Sequence, residues 1–186
     1  MAEVRRLRRE DAFLLVVDVQ EKLAPHVAHH ERVEAKCAAL IRAARKLSIP
    51  VLLSEHCPDR IGPAVPALRA LVAREEVLAK SHFACTDEPS CLSKIRSLQR
   101  NQAVVCGMEA HVCVMQTALG LVERGFQPFL AADAIGSRRV EDLAAAIDRV
   151  RAAGGAVVSV EMTIFEWLYR ADIPEFRDIL AIVKDA

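Results

Sequence analysis

The sequence predicts an α/β protein in which helices cover both faces of a parallel sheet. Short apolar runs alternate with amphipathic segments along all 186 residues. The apolar runs lack the period-two alternation of a strand with one wet face, which is typical of parallel strands buried on both sides. Aromatic residues make up only 4% of a chain that is 53% apolar, so the core must consist mainly of Ala, Val, Leu and Ile.

Six apolar runs are the predicted strands of this sheet. The first ends at Asp18, the third ends at Lys80, and the fourth is closed by Gly107. Ligands of open parallel sheets bind beyond the carboxyl ends of the strands, so polar residues that directly follow strands are candidates for function. The predicted strands cover residues 13–17, 51–53, 77–79, 103–106, 128–130 and 156–158.

Amphipathic segments between and after these runs are the predicted helices. The first of them carries apolar residues at helical spacing. Thr86 or Asp87 is a candidate helix cap, while Gly125 and Gly154 are stop signals. The predicted helices cover residues 31–47, 67–72, 87–98, 112–123, 140–153, 162–169 and 174–183, and residues 58–66 are a predicted loop.

The length and the charge of the chain limit its domain organisation and the class of protein to which it is expected to belong. No repeat or linker divides the chain, so residues 1–186 are expected to form a single domain. Lys plus Arg equals Asp plus Glu, with 25 of each, so no basic field favours nucleic acid or an anionic membrane. The apolar runs are too short for a signal peptide or a membrane span. We therefore expect a soluble, cytoplasmic protein that binds neither.

The six cysteines do not form a metal-binding or disulfide pattern. None belongs to a C-x-x-C pair, and no close pair has zinc-finger spacing. Without a secretion signal they are expected to be reduced thiols, and most of them small core residues.

Asp18, Lys80 and Cys113 are the candidate catalytic residues, because each lies just beyond a predicted strand. Each also has an ordinary explanation: Asp18 as a cap or turn residue, Lys80 as a solvated lysine, and Cys113 as a buried structural thiol. Cys113 lies where strand gives way to helix, and the positive end of a helix dipole favours the reactive thiolate.

Three segments resemble the hallmark motifs of the isochorismatase-like hydrolases. They occur in the order found in that family, and the resemblance extends from about residue 11 to the carboxyl terminus. The segments are Leu14-Leu-Val-Val-Asp-Val-Gln20, Lys80-Ser-His-Phe83 and Gly107-Met-Glu-Ala-His-Val-Cys-Val-Met-Gln-Thr117.

The resemblance implies a fold and a catalytic triad. The fold is a three-layer αβα arrangement with a six-stranded parallel sheet in the order 3-2-1-4-5-6. The triad is Asp18 as base, Lys80 as a charge that lowers the pKa values of Asp18 and Cys113, and Cys113 as nucleophile. It also implies an oxyanion hole formed by the backbone N–H groups of Glu109 and Cys113, and a cis peptide between Met108 and Glu109.

The same resemblance narrows the chemistry. Nicotinamidase-like members bind a divalent metal through an Asp and two His beside the second strand. Here Glu55 and His56 are present but the Asp-x-His pattern is not, so no metal and no other cofactor is expected. Isochorismatases that cleave a vinyl ether lack the nucleophilic cysteine, so Cys113 favours acyl chemistry on the amide-type C–N bond of a small molecule.

Five residues are candidates for contact with that substrate. Each has an alternative structural role, such as orienting Asp18, capping a loop or packing in the core. The substrate itself is set by loops and cannot be named from fold and triad. The candidates are Gln20, Glu55, Phe83, Glu109 and His111.

The resemblance also implies a homo-oligomer, with Phe165 and Trp167 on a late helix as candidate interface residues. Two rival functions stay open. The protein could be a redox or thiol sensor that uses Cys113 without hydrolysis, or a catalytically silent protein that keeps the fold.

Overall fold

A six-stranded sheet organises the protein. The computed structural model describes residues 6–185, so residues 1–5 and 186 of the predicted single domain lie outside the described residues. The strands are arranged in the order β3-β2-β1-β4-β5-β6, and every neighbouring pair is parallel. This confirms the predicted α/β class and strand order. The strands are β1 Ala12–Val17, β2 Val51–His56, β3 Val77–Lys80, β4 Gln102–Met108, β5 Gln127–Gly136 and β6 Ala156–Val158.

Helices cover both faces of the sheet. Short 3₁₀ turns occur at Ala24–His26, Arg74–Glu76 and Cys85–Asp87, and a π-helical turn occurs at Ala110–Val114. No helix among residues 6–185 combines the length and the apolar character that a bilayer crossing requires. The helices are α1 His30–Lys46, α2 Pro58–Ile61, α3 Pro66–Arg69, α4 Pro89–Ser97, α5 Met115–Glu123, α6 Val140–Ala152, α7 Val160–Leu168 and α8 Phe176–Lys184.

The uniformly apolar strands arise because the sheet has a core on each side. Leu14 and Val16 of β1 pack in the core that contains α1, α7 and α8 residues. Leu15 and Val17 point to the opposite face and pack with residues of α4, α5 and α6. Both faces of β1 are therefore buried away from water, and none of its residues needs to be polar.

Several element boundaries differ from the prediction, and three of the differences are informative. Helix α4 begins at Pro89 instead of residue 87, because Glu88 precedes a proline and adopts an extended conformation. The predicted loop 58–66 contains the single turn of α2, which also starts at a proline. Strand β5 continues past residue 130 through Asp133, whose carboxylate accepts a hydrogen bond from the N–H of Val160 at 2.7 Å. A polar residue in mid-strand thus has a partner at the start of α7.

Gly107 lets β4 approach β1 closely just before Asp18. Its φ is +119°, and a Cβ added at this position would lie 2.0 Å from the carbonyl oxygen of Val17. Gly125 also has a positive φ, +80°, but a Cβ there would meet nothing within 4 Å.

We expect Gly107→Ala to lower the free energy of unfolding by about 2–3 kcal/mol more than Gly125→Ala. Gly125→Ala is the control, because it costs only about 1 kcal/mol for placing an alanine at a positive φ. Gly107→Ala has this cost as well, and it also forces β4 away from β1. Urea unfolding of both variants measures the difference, and equal losses would contradict the predicted clash.

Candidate active site

Asp18 lies at the carboxyl end of β1 in a strained and fully buried position. Its φ of +50° is in the left-handed region, which non-glycine residues rarely adopt. Its backbone N–H donates to the carbonyl oxygen of Ser54 in the neighbouring strand β2 at 3.1 Å. Strain of this kind persists where the surroundings hold it in place, and it clusters at functional sites.

Lys80 reaches Asp18 from two strands away. It is the last residue of β3, and its Nζ lies 2.6 Å from Oδ2 of Asp18, with both side chains fully buried. The ammonium also donates to the carbonyl oxygens of His82 at 3.1 Å and Phe83 at 3.0 Å. An ammonium has three N–H donors, so these three acceptors use all of them.

Ser54 binds the other oxygen of the Asp18 carboxylate. Its hydroxyl donates to Oδ1 at 2.6 Å, and its side chain is as buried as that of Asp18. Ser54 was not among the predicted site residues. The sequence signal that could have identified Ser54 is its position directly after the apolar run 51–53.

Cys113 completes the cluster from a different element. It lies in the π-helical turn between β4 and α5, is 5% exposed, and its thiol is close enough to Asp18 for the carboxylate to raise its pKa. The structure therefore brings together the three residues predicted to form the triad.

The thiol of Cys113 is held in its neutral form. Burial is the main cause that raises its pKa, and the negative charge of Asp18 raises it further. Lys80 acts in the opposite direction but is outweighed, so the pKa lies well above its usual range. The expected lowering of the Cys113 pKa by Lys80 is thus present, but it does not determine the net shift in the resting protein.

The ammonium of Lys80 is held in its charged form. Burial alone would lower its pKa, but the charge of Asp18, with smaller effects of Cys85 and Cys113, more than compensates and raises it. The resting site is therefore a neutral thiol beside a buried carboxylate–ammonium pair. In this arrangement Asp18 is the group placed to accept the proton of the thiol.

The segment between β4 and Cys113 has an unusual backbone. The peptide bond between Met108 and Glu109 is cis, at the bond where the resemblance implies one. The carbonyl oxygen of Glu109 accepts hydrogen bonds from the N–H groups of Val112 and Val114 at 3.1 and 3.2 Å. The N–H groups of Glu109 and Cys113, predicted to bind an oxyanion, belong to this one short segment.

Gln20 and Glu55 hold the loop after β2 and do not face an open site. The fully buried amide of Gln20 donates to the carbonyl oxygens of His56 and Gly62 at 3.0 and 2.6 Å, and it accepts from the N–H of His56 at 2.7 Å. Glu55 accepts from the N–H of Ala64 at 2.8 Å. Both side chains therefore shape this loop in the resting protein, and their predicted contact with substrate stays a prediction.

The other three predicted contacts lie at the rim of the site. Phe83 is 51% exposed, and its ring stacks on His56 with the centroids 5.2 Å apart. Phe83 and Lys80 both line a cleft of 690 Å³. His111 contacts the hydroxyl of Ser137 through Nδ1 at 3.0 Å.

Glu109 lines a different cleft from Phe83. Its carboxylate accepts from Nε of Arg138 at 3.0 Å, and both residues line a cleft of 450 Å³ with Leu23 and His26. Arg138 was missed because it is 29 residues away from Glu109 in sequence and carries no local signal. Within residues 6–185, no group of three His, Cys, Asp or Glu residues is arranged to hold a metal ion.

A comparison with protein families is decisive. The model of the isochorismatase domain matches residues 12–162. The chain belongs to the isochorismatase family. A mouse relative, isochorismatase domain-containing protein 2A (Mus musculus), is 32% identical over 185 residues, which cover 99% of this chain and 88% of the relative. Membership of the family supports a hydrolase-type function.

Solved structures with the isochorismatase fold superpose closely on this chain. The MAR1 ribonuclease from Caenorhabditis elegans has a TM-score of 0.91 and 30% identity, covering 97% of this chain and 93% of its own. YcaC from Pseudomonas aeruginosa, solved with hexane-2,5-diol and covalent acrylamide, also has a TM-score of 0.91, with 26% identity and coverage of 97% and 92%. The Escherichia coli YcaC product, described as an octameric hydrolase of unknown specificity, shares the fold with a TM-score of 0.88, 23% identity and coverage of 99% and 98%.

Because several buried thiols have raised pKa values, we expect this isochorismatase-family chain to lose stability at alkaline pH. A hydrogen bond with Cys106 and then burial raise the pKa of Cys37, while burial is the main cause that raises those of Cys85 to about 11 and Cys91 to about 12. Cys113 is shifted in the same direction.

The unfolded chain releases these four protons near pH 8.5, whereas the folded protein retains them, so their stabilising contribution is complete below that pH and lost above it. We expect the free energy of unfolding to fall by up to about 1.4 kcal/mol per thiol per pH unit above about pH 8.5. Urea unfolding at pH 7.5, 9 and 10 measures this, and a constant value would contradict it.

Proposed function

We propose that the protein is a cysteine-dependent hydrolase that cleaves an amide-type C–N bond of a small molecule. The observation that carries the proposal is the buried cluster in which Asp18 pairs with Lys80 beside the Cys113 thiol. A nucleophile beside a base that is itself oriented by a third group is the arrangement expected for covalent catalysis.

In the first half of the proposed reaction, Asp18 takes the proton of the Cys113 thiol as the sulfur attacks the substrate carbonyl carbon. The backbone N–H groups of Glu109 and Cys113 bind the oxyanion of the tetrahedral intermediate. The C–N bond then breaks, Asp18 gives its proton to the departing nitrogen, and a thioester with Cys113 remains.

In the second half, water attacks the thioester carbonyl and Asp18 takes a proton from the water. The C–S bond breaks, the acid product leaves, and Asp18 returns the proton to the sulfur. Lys80 keeps its three hydrogen bonds throughout, so it holds the charge and orientation of Asp18 and transfers no proton.

The covalent acrylamide in the Pseudomonas aeruginosa relative supports this chemistry. Acrylamide is an electrophile that thiols attack, and its capture shows that a related protein of this fold carries a reactive nucleophile. We therefore expect acrylamide to modify Cys113 in preference to the other five cysteines of this chain.

Intact-protein mass spectrometry with a panel of small amides, ureides, imides and hydroxamates tests the proposal. The expected result is a substrate-sized acyl adduct that peptide mapping assigns to Cys113, with release of the free acid. Sulfenate formation at Cys113 without acylation by any member of the panel would favour the redox rival instead. Absence of both modifications would favour a catalytically silent protein.

RNA cleavage is a second candidate, because the similar Caenorhabditis elegans structure is that of a ribonuclease. The chain has equal numbers of basic and acidic residues, 25 each, and so lacks the positive field that usually drives binding to phosphate backbones. Amide cleavage is therefore the preferred proposal. A single-stranded RNA oligonucleotide in the same panel, with products resolved by electrophoresis, separates the two.

We also propose that the protein is a homo-oligomer in the cytoplasm. Met162, Phe165 and Tyr169 lie on one face of α7 and just past its end, and they are partly or largely exposed. Trp167, in contrast, is fully buried, so it is corrected from an interface residue to a core residue. All six cysteines are free, which is typical of a reducing compartment. Light scattering after size exclusion measures the mass, and a monomer near 20.5 kDa would overturn the assembly.

A further inference from the structure

We propose that Ser54 is a positioning residue that fixes the Asp18 carboxylate for proton transfer with Cys113. The inference rests on the proposed function, since it assigns a role relative to that reaction. Ser54 is hydrogen-bonded to Asp18, so it acts through the base.

Ser54 holds Asp18 at two points. Its carbonyl oxygen accepts the backbone N–H of Asp18 at 3.1 Å, and its hydroxyl donates to Oδ1 at 2.6 Å. The first contact supports the residue at its left-handed φ of +50°. The second determines the rotation of the carboxylate about its side-chain bonds.

The two carboxylate oxygens have different permanent partners. Lys80 binds Oδ2 at 2.6 Å, while Ser54 binds Oδ1. A carboxylate has about four acceptor positions, so the two donors leave the remaining lone pairs in fixed directions for the thiol of Cys113. With Lys80 alone, the carboxylate could turn about the Oδ2 contact and lose its alignment with the sulfur.

The position of Ser54 in the sheet explains why a hydroxyl occurs there. In β2 it is in register with Val17 of β1 and Leu78 of β3, and it is fully buried. A buried hydroxyl is unfavourable unless it is hydrogen-bonded, so packing alone would favour an apolar residue.

Alkylation of Cys113 by iodoacetamide tests the inference without a known substrate. The rate is followed by site-resolved mass spectrometry from pH 5 to pH 9 in the unsubstituted protein and in Ser54→Ala, Ser54→Thr and Thr117→Val. Thr117→Val is the matched control, since it also removes a fully buried hydroxyl, one that accepts from the N–H of Cys85 at 3.0 Å.

We expect Ser54→Ala to slow alkylation of Cys113 about 10-fold at pH 7.5, because a hydrogen bond to a charged group is lost. The pH of half-maximal rate on the acid side should rise by about one unit, because the carboxylate loses a donor that favours its charged form. Ser54→Thr, which keeps the hydroxyl, should restore both the rate and the profile, and Thr117→Val should leave the profile unshifted.

Two outcomes would overturn the inference, and they are distinguishable. An unshifted profile in Ser54→Ala, or the same shift in Thr117→Val, would assign Ser54 an ordinary structural role while leaving the proposed function standing. Failure of Cys113 to react in the unsubstituted protein would overturn the proposed function, and the role of Ser54 with it.

Discussion

Replacing Cys113 by alanine is expected to lower the hydrolytic rate by at least ~10³-fold, since covalent catalysis cannot proceed without the nucleophile. The fold should be nearly unaffected, because only one sulfur is removed from a residue at the edge of the core. Its thiol lies beside Asp18, which keeps its ion pair with Lys80 and its hydrogen bond from Ser54 when the sulfur is removed. The rate is measured on whichever amide of the panel acylates the protein.

The control for this experiment is Cys106→Ala. Cys106 is equally small and buried, but it lies in β4 on the opposite face of the sheet, with its sulfur 4.0 Å from the carbonyl oxygen of Leu15. It should retain the hydrolytic rate of the unsubstituted protein. Equal activity in Cys113→Ala would remove this cysteine from the mechanism and favour a protein whose hydrolysis uses another group.

Replacing Lys80 by methionine is expected to have the largest effect on stability. It leaves the Asp18 carboxylate fully buried without its ionic partner, and breaking a buried pair in this way costs about 3–5 kcal/mol. The hydrolytic rate should also fall steeply, by about 10²-fold or more, because Asp18 then takes up a proton and can no longer act as a base.

The double variant Asp18→Asn with Lys80→Met separates charge pairing from catalysis. Because it contains neither buried charge, it should regain much of the stability lost in Lys80→Met but none of the activity. Urea unfolding and the hydrolytic assay measure the two quantities. Failure of the double variant to recover stability would show that Lys80 contributes by packing and not by its charge.

The pH dependence of Lys80→Met provides an independent check. The folded protein raises the pKa of Lys80 above its ordinary value. The stabilisation by this residue is therefore complete below about pH 10.4 and is lost as the pH rises through the raised pKa. Above neutral pH, the difference in unfolding free energy between the unsubstituted protein and Lys80→Met should narrow only as the pH rises through that raised pKa.

The sheet could be predicted from the sequence because the apolar runs that form its strands are local features. Residues 13–17 form an unbroken apolar run, and such a run requires a strand that is dry on both faces. The same reasoning placed Asp18, Lys80 and Cys113 beyond strand ends, where the structure brings them together.

What could not be predicted depends on contacts between distant segments. The hydrogen bond of Ser54 to Asp18 joins residues 36 positions apart, and that of Arg138 to Glu109 joins residues 29 apart. For Gln20 the sequence leaves open contact with substrate, orientation of Asp18 or a loop cap, because the partners of its amide are not visible in sequence. Its partners are backbone groups of a loop, which only the fold brings near it.

The three hydrogen bonds of the Lys80 ammonium have a consequence for the order of events. Since they leave this lysine no free N–H to exchange, the proposed site has a single carrier, Asp18, for every proton that moves. One carrier cannot serve the departing nitrogen and the incoming water together, so the first product must leave before hydrolysis begins. A nitrogen nucleophile that enters in place of water would meet the same acyl group and the same base. For the proposed reaction, the three hydrogen bonds of this one buried cation therefore predict a substituted-enzyme mechanism in which water and amines compete for the acyl group.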